Sequence, residues 1–143
     1  MAAVETQETF NCTVEQFYNL LLDYESYGDF LDDVDSCEIV EEDDDYKIVE
    51  YRVTVVKSFS YRLRMEENGE DMISWTLESG DLFKVSNGSW ELEEKDGKTL
   101  ATYTIDAKFK VFVPGPIAKM AVNINLPNMM KSYHKRVDEL YNT

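Results

Sequence analysis

The chain has little of the chemistry that usually marks an enzyme. It holds one histidine, His134, and two cysteines, Cys12 and Cys37, in 143 residues. The cysteines form no CxxC and have no histidine near them in sequence, so zinc-site spacing is missing. Two isolated thiols without a partner pattern fit a reducing compartment. The N-terminus, MAAVETQETFN, has no basic stretch followed by an apolar run, so no signal peptide is expected. No apolar run reaches the ~18–20 residues of a membrane span. The expected location is cytoplasmic. Basic side chains are also scarce, with 14 against 29 acidic ones and a net charge of −15. Such a surface repels phosphate backbones within about a Debye length, ~8–10 Å at physiological salt. No nucleic-acid partner is expected.

Aromatic and apolar residues are plentiful. The composition is 43% hydrophobic and 13% aromatic, which excludes a disordered chain. The length fits a single domain over residues 1–143 that buries roughly two-thirds of its unfolded surface. Thr13 and Gln16 have capping-box spacing, and Val14, Phe17, Tyr18, Leu21 and Leu22 follow at helical intervals. The aromatic stretch DYESYGDFLDDV, interrupted by Gly28, predicts a second short helix and a turn.

From residue 34 the period becomes two. Val49, Tyr51, Val53 and Val55 share a face, as do Phe59, Tyr61, Leu63 and Met65, and then Ile73, Trp75 and Leu77. Phe83 and Val85 precede Asn87-Gly88, and Trp90 and Leu92 follow it with the opposite parity. The pattern predicts a β-bulge at Asn87-Gly88. A long strand carries Ala101, Tyr103, Ile105, Ala107 and Phe109 on one side. After VPGP, residues 116 to about 141 read as one helix bent at Pro127, narrowing to a stripe of Met130, Tyr133, Val137 and Leu140. The order is strand, two short helices, six hairpin-linked strands and a long C-terminal helix. This is an α+β fold in which a curved seven-stranded antiparallel sheet wraps round that helix. One helix cannot fill the concave side, so an apolar pocket is left.

The segments TVEQFYNLLLDYESYGDFLDDVDSCEIVEE, GSWELEE and TYTIDAKFK resemble the START-like, helix-grip superfamily. Within it they are most similar to the polyketide cyclase/dehydrase and lipid-transport branch, which includes coenzyme Q-binding START-like proteins and ribosome-association toxins. The resemblance runs from about Phe10 to Leu140. Where the family usually has proline after the second tyrosine and after Phe-Leu, this chain has Gly28 and Asp32. The resemblance implies binding or transport of a small hydrophobic ligand: a lipid, an isoprenoid quinone or a polyketide-like molecule. The alternatives are a cyclase or aromatase, with Arg62 or Tyr61 turned into the cavity, and an accessory protein of the ribosome or another complex.

The expected ligand-binding residues on the sheet and flap are Phe30, Phe59, Tyr61, Trp75, Phe83, Trp90 and Tyr103. On the last helix they are Met120 and Ile124. Gly28 and Pro114-Gly115-Pro116 are expected hinges for entry. No catalytic residue, metal or cofactor is expected. His134 reads as a surface histidine, and Arg52, Arg62 and Arg64 as solvent-facing partners of nearby acids. Residues 41–45 read as a solvated turn rather than a calcium loop. Lys131, Lys135 and Arg136 read as cations favoured by the helix C-terminus, or as a docking spot for an acidic partner or membrane surface. A monomer with at most transient membrane contact is expected.

Overall fold

The period-two stretches form strands in a computed structural model that describes residues 4–32, 34–55, 57–110 and 125–142. The strands are β1 (Val4–Phe10), β2 (Val34–Glu42), β3 (Lys47–Val55), β4 (Lys57–Glu67), β5 (Met72–Gly80), β6 (Phe83–Lys95) and β7 (Lys98–Phe109). They make one antiparallel sheet in the order β1-β7-β6-β5-β4-β3-β2. The helices are α1 (Val14–Leu22), a 3-10 turn at Tyr24–Ser26, α2 (Tyr27–Phe30) and α3 (Asn125–Tyr141). Pro127 stands in the first turn of α3, so the predicted bend there is not seen within the described helix. The predicted first half of the last helix up to residue 124 lies outside the described residues, as do Met120, Ile124 and residues 114–116.

α1 starts where its capping box predicts. The Thr13 hydroxyl accepts from the Gln16 N–H at 3.1 Å, and the Gln16 amide oxygen accepts from the Thr13 N–H at 3.0 Å. Its buried face, Phe17, Tyr18, Leu20 and Leu21, packs inward. In α2, Gly28 lies against β2. A Cβ there would stand 3.2 Å from the Asp35 carbonyl oxygen, so close packing explains a glycine at that point.

The predicted bulge is displaced. Asn87 and Gly88 pair regularly with Asp106 and Ile105, whereas the register of β6 shifts between Phe83 and Val85. Lys84 is the extra residue there. The parity change therefore comes earlier, and Ser86 takes the buried position while Val85 stands opposite Lys108. A second irregularity lies between Arg62 and Leu63, which pair with Ser79 and Leu77. Pairing of β5 with β6 runs only from Met72↔Glu91 to Trp75↔Gly88. Beyond it β5 follows β4, ending at Gly80 opposite Tyr61.

Met130, Tyr133 and Val137 of α3 pack on the inner face of the sheet as the stripe predicts. Leu140 departs from it and is 46% exposed. Tyr141, four residues after Val137, takes the fourth place: it packs on the core, and its hydroxyl donates to the Gln16 carbonyl at 2.9 Å. Both cysteines are buried and unpaired. No described helix is long and apolar enough to cross a membrane.

Candidate ligand-binding groove

The inner face of the sheet is apolar at every alternate position because period-two strands put all their hydrophobic side chains on one side. One end of this face is closed. Val49, Leu63, Met65, Ile73, Trp90, Leu92 and Ala101 are buried there beneath α1 and α3. Toward the other end the inner-face residues Tyr61, Leu77, Phe83, Tyr103, Ile105 and Phe109 keep part of their surface accessible.

Aromatic rings connect the two regions. Tyr133 of α3 stands edge-on to Trp90 at 5.3 Å and to Phe30 of α2 at the same 5.3 Å. From Trp90 one line of rings runs through Tyr103 at 4.8 Å to Trp75 at 5.8 Å. From Phe30 the other runs through Tyr27 and Tyr51 to Tyr61, which stacks on Tyr51 at 5.2 Å with nearly parallel planes. It ends in Phe83 and Phe109, stacked at 5.4 Å. Leu63 and Leu77 pair between these two lines. Of the expected ligand residues, Phe59, Trp75 and Trp90 are buried in the wall. Phe30, Tyr61, Phe83 and Tyr103 are half-buried at its surface.

Sequence reasoning left out Tyr27 and Tyr133, whereas Tyr51 and Phe109 were placed on the right face without being chosen as ligand contacts. Tyr133 was legible as the centre of the helix stripe. Tyr27 was not, because its place depends on how the flap folds back. The flap is held by the Tyr27 hydroxyl donating to the Leu21 carbonyl and by the Tyr24 hydroxyl donating to Glu67 at 3.0 Å.

Burial sets the electrostatics of this wall. It pushes the phenols of Tyr27, Tyr51, Tyr103 and Tyr133 above their ordinary value, so they are neutral and can donate hydrogen bonds. It pushes the Cys37 thiol up to about 12, an effect partly offset by a hydrogen bond with Tyr51. Among the described residues, the charged inner-face positions of β3 to β7 lie at the strand ends. At the closed end Lys47 is 2.9 Å from Glu67 and Glu94 stands opposite Thr99, and at the other end Lys57 is the first residue of β4. Between them the inner face carries no carboxylate, imidazole, ammonium or guanidinium.

The charged candidates lie elsewhere. Arg62 is on the outer face, 3.1 Å from Glu50, with Arg52 at 3.4 Å from the same carboxylate. Arg64 stacks on the Tyr46 ring at 4.0 Å. His134 is 2.8 Å from Glu8 and packs against the Phe10 ring, at the β1 edge. The basic cluster of α3 stands more than a turn before the helix end, where the dipole effect has faded. Arg136 instead covers the Phe30 ring at 5.3 Å. Lys131 and Lys135 line a cleft of about 290 Å³ between α2 and α3, with Asp29, Asp32 and Glu139. Phe30 separates this polar cleft from the aromatic wall.

The polyketide cyclase/dehydrase and lipid transport family model matches residues 11–132. A comparison with curated proteins gave no match. Among solved structures, the chain is similar to a START superfamily protein from Mycobacterium smegmatis: 20% identity, TM-score 0.84, covering 96% of this chain and 98% of the other. It is similar to the Zhui aromatase/cyclase from Streptomyces sp. R1128 at 17% identity and TM-score 0.81, covering 96% and 94%. A STAR-related lipid transfer protein from Xanthomonas axonopodis aligns at 13% identity and TM-score 0.72, covering 94% and 85%. These likenesses agree on the helix-grip fold, and the match over residues 11–132 goes further: the chain belongs to the polyketide cyclase/dehydrase and lipid transport family.

Proposed function

We propose that this protein binds and carries a small hydrophobic ligand in the groove between the sheet and its C-terminal helix. The ligand is a lipid, an isoprenoid quinone or a polyketide-like aromatic molecule. One observation carries the reading. A continuous surface of half-buried aromatic and aliphatic side chains, with neutral phenols as its polar groups, faces inward at one end of the sheet. Such a lining takes an apolar body by burial, at about 25 cal/mol per Å² before the costs of binding. Tyr61 and Tyr103 would orient its polar end. Phe30, Tyr61, Phe83 and Tyr103 would touch the ligand. Phe59, Trp75 and Trp90 would hold that surface from behind, and Met120 and Ile124 are retained as proposed contacts from the last helix.

The cyclase reading needs a polarising group in the groove. Arg62 does not supply it, since it faces outward to Glu50. Tyr61 is on the inner face, so that reading rests on phenols alone. Binding without chemistry is therefore favoured.

The test is solvent extraction of the purified protein followed by mass spectrometry, with an unrelated protein purified identically as control. One lipid or quinone class at near-stoichiometric amount supports the reading. An empty extract, with no thermal shift against a panel of lipids, quinones and polycyclic aromatics, overturns it.

A further inference from the structure

The charges of this chain are sorted along the strands. The β2–β3, β4–β5 and β6–β7 connections turn at one end of the sheet. Residues 41–47, 66–72 and 93–98, which make them, hold twelve carboxylates and three lysines. The β3–β4 and β5–β6 connections turn at the opposite end, where β7 also finishes. Residues 54–60, 78–84 and 106–110 hold three carboxylates and four lysines.

Those four, Lys57, Lys84, Lys108 and Lys110, are exposed, and none makes an ion pair with a described residue. Three of them converge. Lys84 is the bulge residue beside the Val85↔Lys108 pair, and the Lys110 N–H donates to the Leu82 carbonyl at 2.8 Å. The half-buried Phe83 and Phe109 stack on the inner face at the same end, while Lys108, next to Phe109 in β7, points to the outer face. Lys57 lies over the Phe59 ring at 5.3 Å. Of the three carboxylates in these segments, Glu78 is exposed, Asp81 accepts the Ser60 N–H at 3.0 Å and Asp106 stands opposite Asn87. Glu5 of β1, opposite Thr104, lies toward the same end. Asp35, on β2, accepts the Thr54 hydroxyl at 2.6 Å.

Distance decides whether the net charge of −15 matters here. The twelve residues of β7 span ~40 Å. The Debye length is ~10 Å at 0.1 M salt, so the acidic turns are screened from anything touching the lysine end. We infer that this end docks on an anionic lipid bilayer, with Lys84, Lys108 and Lys110 against the headgroups and the Phe83–Phe109 pair at the interface. The accessible part of the groove is at the same end, so docking would present the groove to the bilayer. That use rests on the ligand reading above, whereas the docking itself does not.

The test is sedimentation of the full chain with vesicles of phosphatidylcholine alone or mixed with phosphatidylglycerol. Binding is expected only to the mixed vesicles. It is expected to peak near ~0.1 M salt, and to fall at ~1 M, where screening reaches ~3 Å, and at ~0.01 M, where ~30 Å lets the acidic turns be felt. A triple variant, Lys84→Gln, Lys108→Gln and Lys110→Gln, should weaken binding by about fivefold per lysine, on the order of a hundredfold in all. Replacing Lys95 and Lys98 by Gln, at the acidic end, should leave binding within about twofold, since those positions lie beyond the Debye length. Absence of sedimentation near ~0.1 M salt overturns the inference. So does an equal response, lysine for lysine, at the two ends, which would mean that only total charge matters. Neither result bears on the extraction experiment, which detects cargo without a membrane.

Discussion

The indole of Trp75 lies directly on the backbone of Gly88. A Cβ at residue 88 would stand 2.5 Å from the Trp75 Cζ2 atom, and it would also collide with the Thr104 carbonyl. The glycine therefore gives the tryptophan its place in the aromatic wall, where Tyr103 holds its other neighbour position at 5.8 Å. Gly88→Ala is expected to destabilise the fold by about 1–3 kcal/mol, as overpacking does. The thermal midpoint should fall by several degrees, roughly 2–4 °C per kcal/mol for a chain of this size. Tryptophan emission should shift as the indole is displaced. An unchanged midpoint would show that the wall yields there at no cost.

Tyr133 and Phe83 should respond oppositely to truncation. Tyr133 is buried among Phe10, Phe17, Phe30 and Trp90, so Tyr133→Ala should cost about 3–5 kcal/mol. Phe83 is half-buried at the accessible end. Phe83→Ser should cost only about 1–2 kcal/mol while sharply reducing the ligand recovered on extraction. Full ligand retention in Phe83→Ser would remove that residue from the proposed contact surface.

Alkali should unfold this protein early. Burial pushes Cys12 up to about 11 and Cys37 up to about 12, from 9.0, and raises four wall tyrosines from 10.0. In the unfolded chain these groups lose their protons at the ordinary values. Above about pH 9 the folded state therefore binds more protons than the unfolded one, and stability falls as pH rises. Below that pH both states are protonated and these groups add no slope. The urea midpoint, followed from about pH 8 to pH 11, should decline steadily beyond pH 9. A flat profile would contradict the burial of these groups.

The same burial should silence both thiols at neutral pH. A thiol-specific reagent should react slowly with the native protein and label two thiols promptly in denaturant. Prompt native labelling of Cys37 would mean that the wall opens readily beside Tyr51.

The capping box offers a local test. Thr13→Ala removes the acceptor for the Gln16 N–H and should cost about 1 kcal/mol, read as a small fall in midpoint without change of spectrum. A larger loss would show that the start of α1 also anchors the flap.

The sequence alone determined what depends on neighbours a few residues apart. Alternation along Phe59 to Met65 and Ala101 to Phe109 placed strands and their inner face, because a strand's side-chain period is fixed by its backbone. Thr13 and Gln16 fixed the start of α1 in the same way, and 3.6-residue spacing found Met130, Tyr133 and Val137. Tertiary structure decided what depends on residues far apart in the chain. The bulge sits at Phe83–Val85 because β6 must pair with β7 there while β5 leaves it after Gly88, which no local parity count can register. Leu140 and Tyr141 compete for one place, and only the position of Gln16 on α1 gives it to the tyrosine. Whether an inner-face aromatic is wall or surface is likewise set by what stands over it: Trp90 lies under Tyr133 and is buried, while Tyr61 and Phe83 are only partly buried.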